Sequence, residues 1–246
     1  MEIKAPFGYS DIAPLNRSQK VRLLAPGEVP AFARGLNSIP ISYTEFAAIA
    51  REYPIIFSAS SNQQYAPVAV LGMTAGENLY DNKGSWASNV YVPAYVRRFP
   101  FCMTTVTLDK VVQQNRLICV EKSHIDEAKG EAMFDAGGKP LEKWKQIEAL
   151  LTDYEVDLER SREMCGILSD YGLFEPFTMQ AKFNSGADPV HLTGMHRVNE
   201  ARIEHLNASQ LKNLVKKGIL SRVYAHLLSL DNFARLLDRK AARKAA

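Results

Sequence analysis

Residues 141–168 have the sequence "LEKWKQIEALLTDYEVDLERSREMCGIL", and this stretch decides the fold class. Apolar side chains recur in it at every third or fourth position, which is the period of a helix with one buried face. The stripe consists of Leu141, Trp144, Ile147, Leu151, Tyr154, Leu158, Cys165 and Leu168. The sequence therefore predicts a long helix here, in one piece or in two.

The segments on either side of this helix have the patterns of β-strands. Two apolar runs flank the polar stretch "SASSNQQ" at residues 58–64, which predicts a hairpin. Pro93 and Pro100 interrupt two of the later strands, so edges, bulges or a short helical turn are expected there. The remaining predicted strands are "KVRLLA" (20–25), "NVYVPAYV" (89–96), "FPFCMTTVTL" (99–108), "NRLICVEK" (115–122), "FTMQAKF" (177–183) and "VHLTGMHRV" (190–198).

Helix caps mark the remaining helices. Ser42 and Glu45 have the spacing of a capping box, and so do Asn207 and Gln210 near the C-terminus. Gly218 is expected to end the helix that begins after Asn207. Strands and helices come in blocks, which favours an α+β fold with a mixed or antiparallel sheet, a long central helix and C-terminal helices packed against it. We expect one domain over residues 1–246, with an extended N-terminal arm (1–36) and a basic tail (240–246).

Composition restricts the classes of protein to which the chain can belong. It has no run of eighteen apolar residues and no N-terminal apolar signal region, so it is predicted not to span a membrane and to be cytoplasmic. The three cysteines form no CxxC pair, which agrees with reduced thiols. From residue 197 onward there are eleven Lys/Arg and four Asp/Glu, a basic end that could meet nucleic acid, an anionic membrane or an acidic partner. The simpler interpretation is a solvated helix face and a solvated tail, and the helix after Gly218 is mostly apolar, which does not favour nucleic-acid binding.

Motifs with known chemistry are missing from the sequence. It contains no GxGxxG, no P-loop, no GxSxG and no HExxH, so it identifies no catalytic residue and no cofactor. His191 and His196 lie five apart on a predicted strand, on opposite faces, which is poor geometry for a shared metal. No metal site is predicted, and whether the protein is an enzyme stays open.

The strongest candidate for a binding site is the segment 84–101, "GSWASNVYVPAYVRRFPF". Arginine and aromatic side chains occur together in recognition sites, which favours a ligand- or partner-binding surface. Arg97 and Arg98 point to different faces of an extended chain, so at least one is expected to face the interior or a cleft. The alternative is internal packing, with a guanidinium stacked on a neighbouring ring. The candidate residues here are Trp86, Tyr91, Tyr95, Arg97 and Arg98.

His226 is a further candidate, because it interrupts an apolar helical stripe. A buried histidine needs partners for both ring nitrogens, so it is either satisfied within the core or placed at the floor of a pocket. His124 and His205 lie among charged residues and are expected at the surface.

Three blocks together resemble the SapC family of bacterial proteins. They are "NSIPISYTEFAAIAREYPIIF" (37–57), "PVAVLGMTAGENLYDNKGSWASNVYVPAYVRRFPF" (67–101) and "YAHLLSL" (224–230). The resemblance implies a bacterial source but brings no catalytic residues. We therefore expect an accessory protein that binds a protein or small-molecule partner at the aromatic and arginine surface. The alternatives left open are an enzyme that modifies a peptide or small metabolite with a metal or cofactor, and assembly into a homo-oligomer.

Overall fold

The computed structural model describes residues 2–108, 111–181 and 190–245. The first elements are β1 (Glu2–Ile3), β2 (Ile12–Pro14), β3 (Lys20–Val21), α1 (Ala31–Arg34), β4 (Ser38–Pro40), a 3₁₀ turn (Tyr43–Glu45), α2 (Phe46–Ile49), β5 (Ile55–Ala59), β6 (Tyr65–Val70), β7 (Asp81–Asn82), β8 (Ser85–Trp86) and α3 (Ala94–Arg97). The later elements are β9 (Phe101–Leu108), β10 (Val111–Glu121), a 3₁₀ turn (Lys122–His124), β11 (Glu131–Ala132), α4 (Glu142–Asp170), β12 (Phe174–Ala181), β13 (Val190–Val198), α5 (Glu200–Ile203), α6 (Ala208–Lys216), α7 (Ile219–Ser229) and α8 (Asn232–Ala245).

The strands form two main sheets. One has the order β1-β9-β10-β2 and the other β12-β13-β5-β6-β4, while β11-β3 and β7-β8 are two-stranded. All of the strand pairs described are antiparallel. The α+β class is therefore confirmed, with an antiparallel rather than a mixed arrangement.

Helix α4 is one continuous helix, and it joins the two main sheets. Trp144 and Leu151 in its first half pack with Phe101 of β9 and Val120 of β10. In its second half, Leu168 belongs to the larger core under the five-stranded sheet. The predicted apolar stripe is confirmed except at Leu141, which is exposed and precedes the helix.

The predicted caps are present. The Ser42 amide and hydroxyl both donate to Glu45 Oε2, at 2.8 and 2.9 Å. Asn207 and Gln210 form the capping box of α6, and Gly218 ends that helix with a left-handed φ of 70°. The predicted hairpin at residues 58–64 is confirmed by the antiparallel pairing of β5 with β6.

Two segments differ from the predictions, and a third lies partly outside the described residues. Residues 89–96 are not a strand: Pro93 has the fixed φ that suits a helix start, and α3 follows it directly. Residues 81–86, where no strand is predicted, form the hairpin β7–β8, whose two-residue turn places Lys83 and Gly84 at φ 51° and 94°. In the strand predicted at 177–183, residues 182 and 183 lie outside the described residues.

The predicted arm and the predicted basic tail are both attached to the body. β1 pairs with β9, β2 with β10 and β3 with β11, so residues 2–36 add short edge strands rather than one extended piece. The tail residue Lys240 belongs to α8 and is buried, and its ammonium lies 2.8 Å from Glu77 Oε1. The expectation of a solvated tail is therefore wrong for Lys240, because Glu77 neutralises its charge in the packed structure.

Candidate functional site

The segment 84–101 is held in place by a buried carboxylate from another part of the chain. Glu45 Oε1 accepts the amide of Ala94 at 2.6 Å, in the first turn of α3. The same oxygen accepts the hydroxyl of Tyr91 at 3.1 Å. Pro93 has no side-chain oxygen that could cap α3, so Glu45 supplies the acceptor that the helix start requires.

Arg97 and Arg98 lie at the end of α3 and have opposite environments. Arg97 is exposed, and its Nε and Nη2 donate to Val92 O at 2.9 Å and to the Tyr91 hydroxyl at 2.7 Å. Its guanidinium lies 5.3 Å from the centre of the Tyr91 ring. Burial and the neighbouring Glu45 carboxylate raise the pKa of Tyr91 to about 12, so the hydroxyl stays protonated and bridges Glu45 to Arg97.

Arg98 is buried, with 3% of its surface exposed. Its guanidinium carbon lies 4.1 Å from the ring centre of Tyr95, 4.7 Å from that of Tyr154 and 5.6 Å from that of Tyr9. Its Nη1 lies 3.8 Å from Glu155 Oε1, at the long end of ion-pair distances. The expectation that one arginine of the pair faces the interior is confirmed, and this arginine stacks on the protein's own tyrosines.

The other aromatic candidates of the segment are also buried. Trp86 donates its indole N–H to the Tyr53 hydroxyl at 2.8 Å and stacks near Tyr80. Tyr95 donates its hydroxyl to the carbonyl of Phe7 at 2.6 Å. The structure therefore brings Tyr91, Tyr95, Arg97 and Arg98 together around α3, but only Arg97 and part of Tyr91 reach the surface.

His226 lies apart from this group, in the core between β5 and β13. Its Nδ1 donates to Ile55 O at 2.9 Å, and its Nε2 accepts the amide of Val198 at 3.1 Å. This pattern requires the neutral ring with the proton on Nδ1. Burial lowers the pKa of His226 to about 4, which agrees with a neutral core histidine. Its hydrogen-bonding capacity is used within the fold, so the core alternative describes its position.

A cleft opens directly beside the segment, at Phe99, and we call it the Phe99 cleft. It has a volume of about 340 Å³. It is lined by Gly8, Ser10, Arg22, Leu24, Glu28, Pro30, Ala31, Phe32, Arg34, Phe99, Glu121, Ser123 and His124. Its position depends on Gly8, which has a φ of +82° and whose Cβ, if present, would lie 2.4 Å from the Phe32 ring.

Most of the charged groups in the Phe99 cleft already have partners. Arg22 pairs with Glu28 at 3.2 Å and donates to Nε2 of His124 at 3.1 Å. Glu121 accepts three hydrogen bonds from Ser10 and Asp11, with the shortest at 2.6 Å. His124 is buried, so its predicted surface position is wrong; it donates Nδ1–H to Arg22 O at 2.7 Å.

Arg34 is the exception among these charged groups. Its Nε donates to Val29 O at 3.3 Å, while its terminal nitrogens have no hydrogen-bond or ion-pair partner within residues 2–108, 111–181 and 190–245. A guanidinium with unused donors is suited to a carboxylate or phosphate. No sequence pattern predicted this residue, because its segment is placed by contacts between distant parts of the chain: Val29 N donates to Gly84 O, and Trp86 N donates to Gly27 O.

The described residues were also compared with the requirements of a metal site and of a membrane-spanning helix. Over the described part of the chain, no group of three or more His, Cys, Asp or Glu side chains is arranged to hold a metal ion. Nor does any described helix combine the length and apolarity that crossing a bilayer requires.

The family model described as SapC matches residues 18–236, which is nearly the whole chain. The chain belongs to the SapC family. No curated protein and no solved structure matches it. The SapC match begins after Gly8 and Ser10, so the Phe99 cleft is built from the matched region together with residues that precede it.

Proposed function

We propose that this SapC-family protein binds a small ligand that carries a carboxylate and an apolar or aromatic body, and that the ligand occupies the Phe99 cleft. The observation that carries the proposal is Arg34, whose terminal nitrogens remain available at a cleft that also presents two phenyl rings. The volume of about 340 Å³ is at the lower end of the range for small-molecule sites.

The lining has an aromatic part and a charged part, and each predicts one part of the ligand. Phe32 and Phe99 pack against each other with ring centres 5.4 Å apart, which gives a fixed aromatic wall. Glu28 and Glu121 are occupied by donors from the protein, so they do not require a cation from the ligand. Of the charged side chains in the lining, Arg34 therefore provides the exposed charge whose terminal nitrogens have no partner among the described residues, and a carboxylate is its most direct ligand.

We place this activity in an accessory protein of the bacterial cytoplasm. The cytoplasmic part of the proposal is supported by Cys102, Cys119 and Cys165, which are all buried and unpaired, as expected where thiols stay reduced. The bacterial part of the proposal is supported by the resemblance to the SapC family, which implies such a source. The proposal assigns binding and no reaction.

The test uses three matched probes: phenylacetate, its neutral isostere phenylacetamide, and acetate. We expect phenylacetate to bind about tenfold more tightly than phenylacetamide, because a charge-assisted hydrogen bond contributes about 1.5–3 kcal/mol and 1.4 kcal/mol is a factor of ten. Acetate should bind most weakly, since it has no ring. Titrations followed by protein NMR give the three dissociation constants and show which amides shift.

Two variants locate the binding. Arg34→Ala should remove the preference for phenylacetate over phenylacetamide, and Ala31→Phe should fill the cleft and weaken both probes. Lys145→Ala removes an exposed cation that does not line the cleft and should change neither. Equal affinity of wild type and Arg34→Ala for phenylacetate would contradict the proposal.

A further inference from the structure

A second cleft lies between the C-terminal half of α4 and the β5–β6 hairpin, and we call it the Gly166 groove. It has a volume of about 450 Å³. It is lined by Ser60, Gln63, Gln64, Tyr65, Ala66, Arg162, Cys165, Gly166, Ser169 and Asp170. It shares no lining residue with the Phe99 cleft, so a ligand in the groove is independent of the function proposed for that cleft.

The floor of the groove is one stripe of α4. Arg162, Gly166 and Asp170 follow each other at intervals of four residues, which places them on the same helix face. With a rise of about 1.5 Å per residue, the Cα atoms of Arg162 and Asp170 are about 12 Å apart. The stripe thus presents a cation at one end, an anion at the other and no side chain between them.

Gly166 has no packing reason to be glycine. Glycine in a helix interior is less stable than alanine, and an isolated one usually reflects a close approach or a function. A Cβ at Gly166 would have nothing within 4 Å among the residues that the structure describes, so none of these neighbours requires its absence. Its effect on the molecule is to keep the middle of the groove open.

The wall opposite the helix is a supported aromatic ring. Tyr65 stacks on Phe174 with ring centres 4.1 Å apart and an angle of 28° between the planes. The edge of His196 lies against it, with ring centres 5.1 Å apart. Because both neighbours belong to the adjacent strands β12 and β13, the ring is held as a fixed apolar surface facing the groove.

The charges at the two ends are available to a ligand. Arg162 pairs with Glu159 on the outer side of the helix, where both side chains are more than half exposed, and such pairs are weak. Asp170 forms no ion pair with any residue that the structure describes. It is also the last residue of α4, where the helix dipole adds to its preference for a cation.

We infer that the Gly166 groove binds an elongated dipolar molecule, with its carboxylate on Arg162, its ammonium on Asp170 and an apolar centre between Gly166 and Tyr65. A short peptide with free ends has this chemistry. Three or four extended residues span about 10–14 Å, which matches the separation of the two charges.

The probes are the tripeptide Ala-Phe-Ala, its form acetylated at the N-terminus and amidated at the C-terminus, and free phenylalanine. Isothermal titration calorimetry on the full chain should give the tightest binding for the free tripeptide. The doubly blocked peptide should bind at least tenfold more weakly. Free phenylalanine should also bind more weakly, because it cannot reach both charges.

Variants of the floor separate this inference from nonspecific binding. Gly166→Leu fills the groove at an exposed helix position and should abolish binding, with a melting temperature no lower than that of wild type. Arg162→Glu and Asp170→Arg should each weaken binding tenfold or more. The double variant Arg162→Glu/Asp170→Arg should recover binding, because the peptide can bind in the reverse direction.

A control variant outside the groove tests whether the effects are specific to its lining. Asp153→Asn removes an exposed carboxylate of α4 that lies outside the groove, and it should bind as wild type does. Equal affinity for the free and the blocked peptide would overturn the inference, as would full binding by Gly166→Leu. Absence of binding of the tripeptide to the wild type at millimolar concentration would overturn it as well.

Discussion

The adjacent arginines 97 and 98 provide the sharpest test of the structure, because one is exposed and the other is buried. We predict that Arg98→Ala strongly destabilises the protein, while Arg97→Ala leaves it nearly as stable as wild type. The difference arises because Arg98 stacks among three tyrosine rings and faces Glu155, whereas Arg97 lies over Tyr91 at the surface.

The magnitude follows from burial. Truncating a large buried side chain to alanine costs about 3–5 kcal/mol, and Arg98 is 3% exposed and packed between three tyrosine rings. In a chain of this length, 1 kcal/mol shifts the melting temperature by about 2–4 °C, so Arg98→Ala should lower it by about 6–20 °C. Arg97→Ala loses exposed contacts that contribute about 1 kcal/mol or less, which corresponds to a shift below about 4 °C.

Urea unfolding gives the free energy of unfolding of both variants, and thermal unfolding gives their melting temperatures. Tryptophan fluorescence follows both transitions, since Trp86 and Trp144 are buried and report on loss of the core. Arg98→Met is the matched control: it removes the charge but keeps most of the packing volume between the tyrosine rings, so the loss should be smaller than for alanine. If Arg98→Ala is as stable as Arg97→Ala, the stacking and burial described for Arg98 do not hold the fold together.

Two further predictions concern titration. Between pH 6.5 and 4, the unfolded chain protonates His226 while the folded protein keeps it neutral, so stability should fall by about 3 kcal/mol as the pH drops through this window, and His226→Gln should lack this part of the slope in urea unfolding. Burial raises the pKa of the Cys102, Cys119 and Cys165 thiols from 9.0 to about 12, 11 and 12, so each has a smaller thiolate fraction at pH 8 than in the unfolded chain. Iodoacetamide at pH 8 should therefore alkylate native Cys119 about 100-fold more slowly than the unfolded chain, and the other two thiols more slowly still. If His226→Gln keeps the wild-type dependence of stability on pH, the first prediction is wrong. If the native thiols are alkylated as rapidly as those of the unfolded chain, the second is wrong.

Local periodicity and capping were sufficient to predict much of the fold. The stripe from Trp144 to Leu168 defines α4 because residues on one helix face are set by sequence spacing alone. Asn207 and Gly218 delimit α6 for the same reason, since a cap acts within one turn. These features need no knowledge of the rest of the chain, and the structure has them where the spacing places them.

Contacts between distant segments could not be predicted in the same way. The chain segment 89–96 has the composition of a strand, but Pro93 and the carboxylate of Glu45 make a helical turn of it. Glu45 lies 49 residues from Ala94 along the chain, so no local pattern contains their contact. Arg34 entered no sequence-based prediction because backbone pairing of residues 27–29 with the distant residues 84–86 holds its segment beside the Phe99 cleft.

The two clefts differ in how much of their lining falls within the residues that match the family model. This difference indicates which cleft is the better place to look for a ligand common to the family. The matched residues 18–236 contain the whole lining of the Gly166 groove, including Tyr65, Arg162 and Asp170. The Phe99 cleft also needs Gly8 and Ser10, which precede the match. A ligand shared by proteins of this family would therefore be sought first in the Gly166 groove.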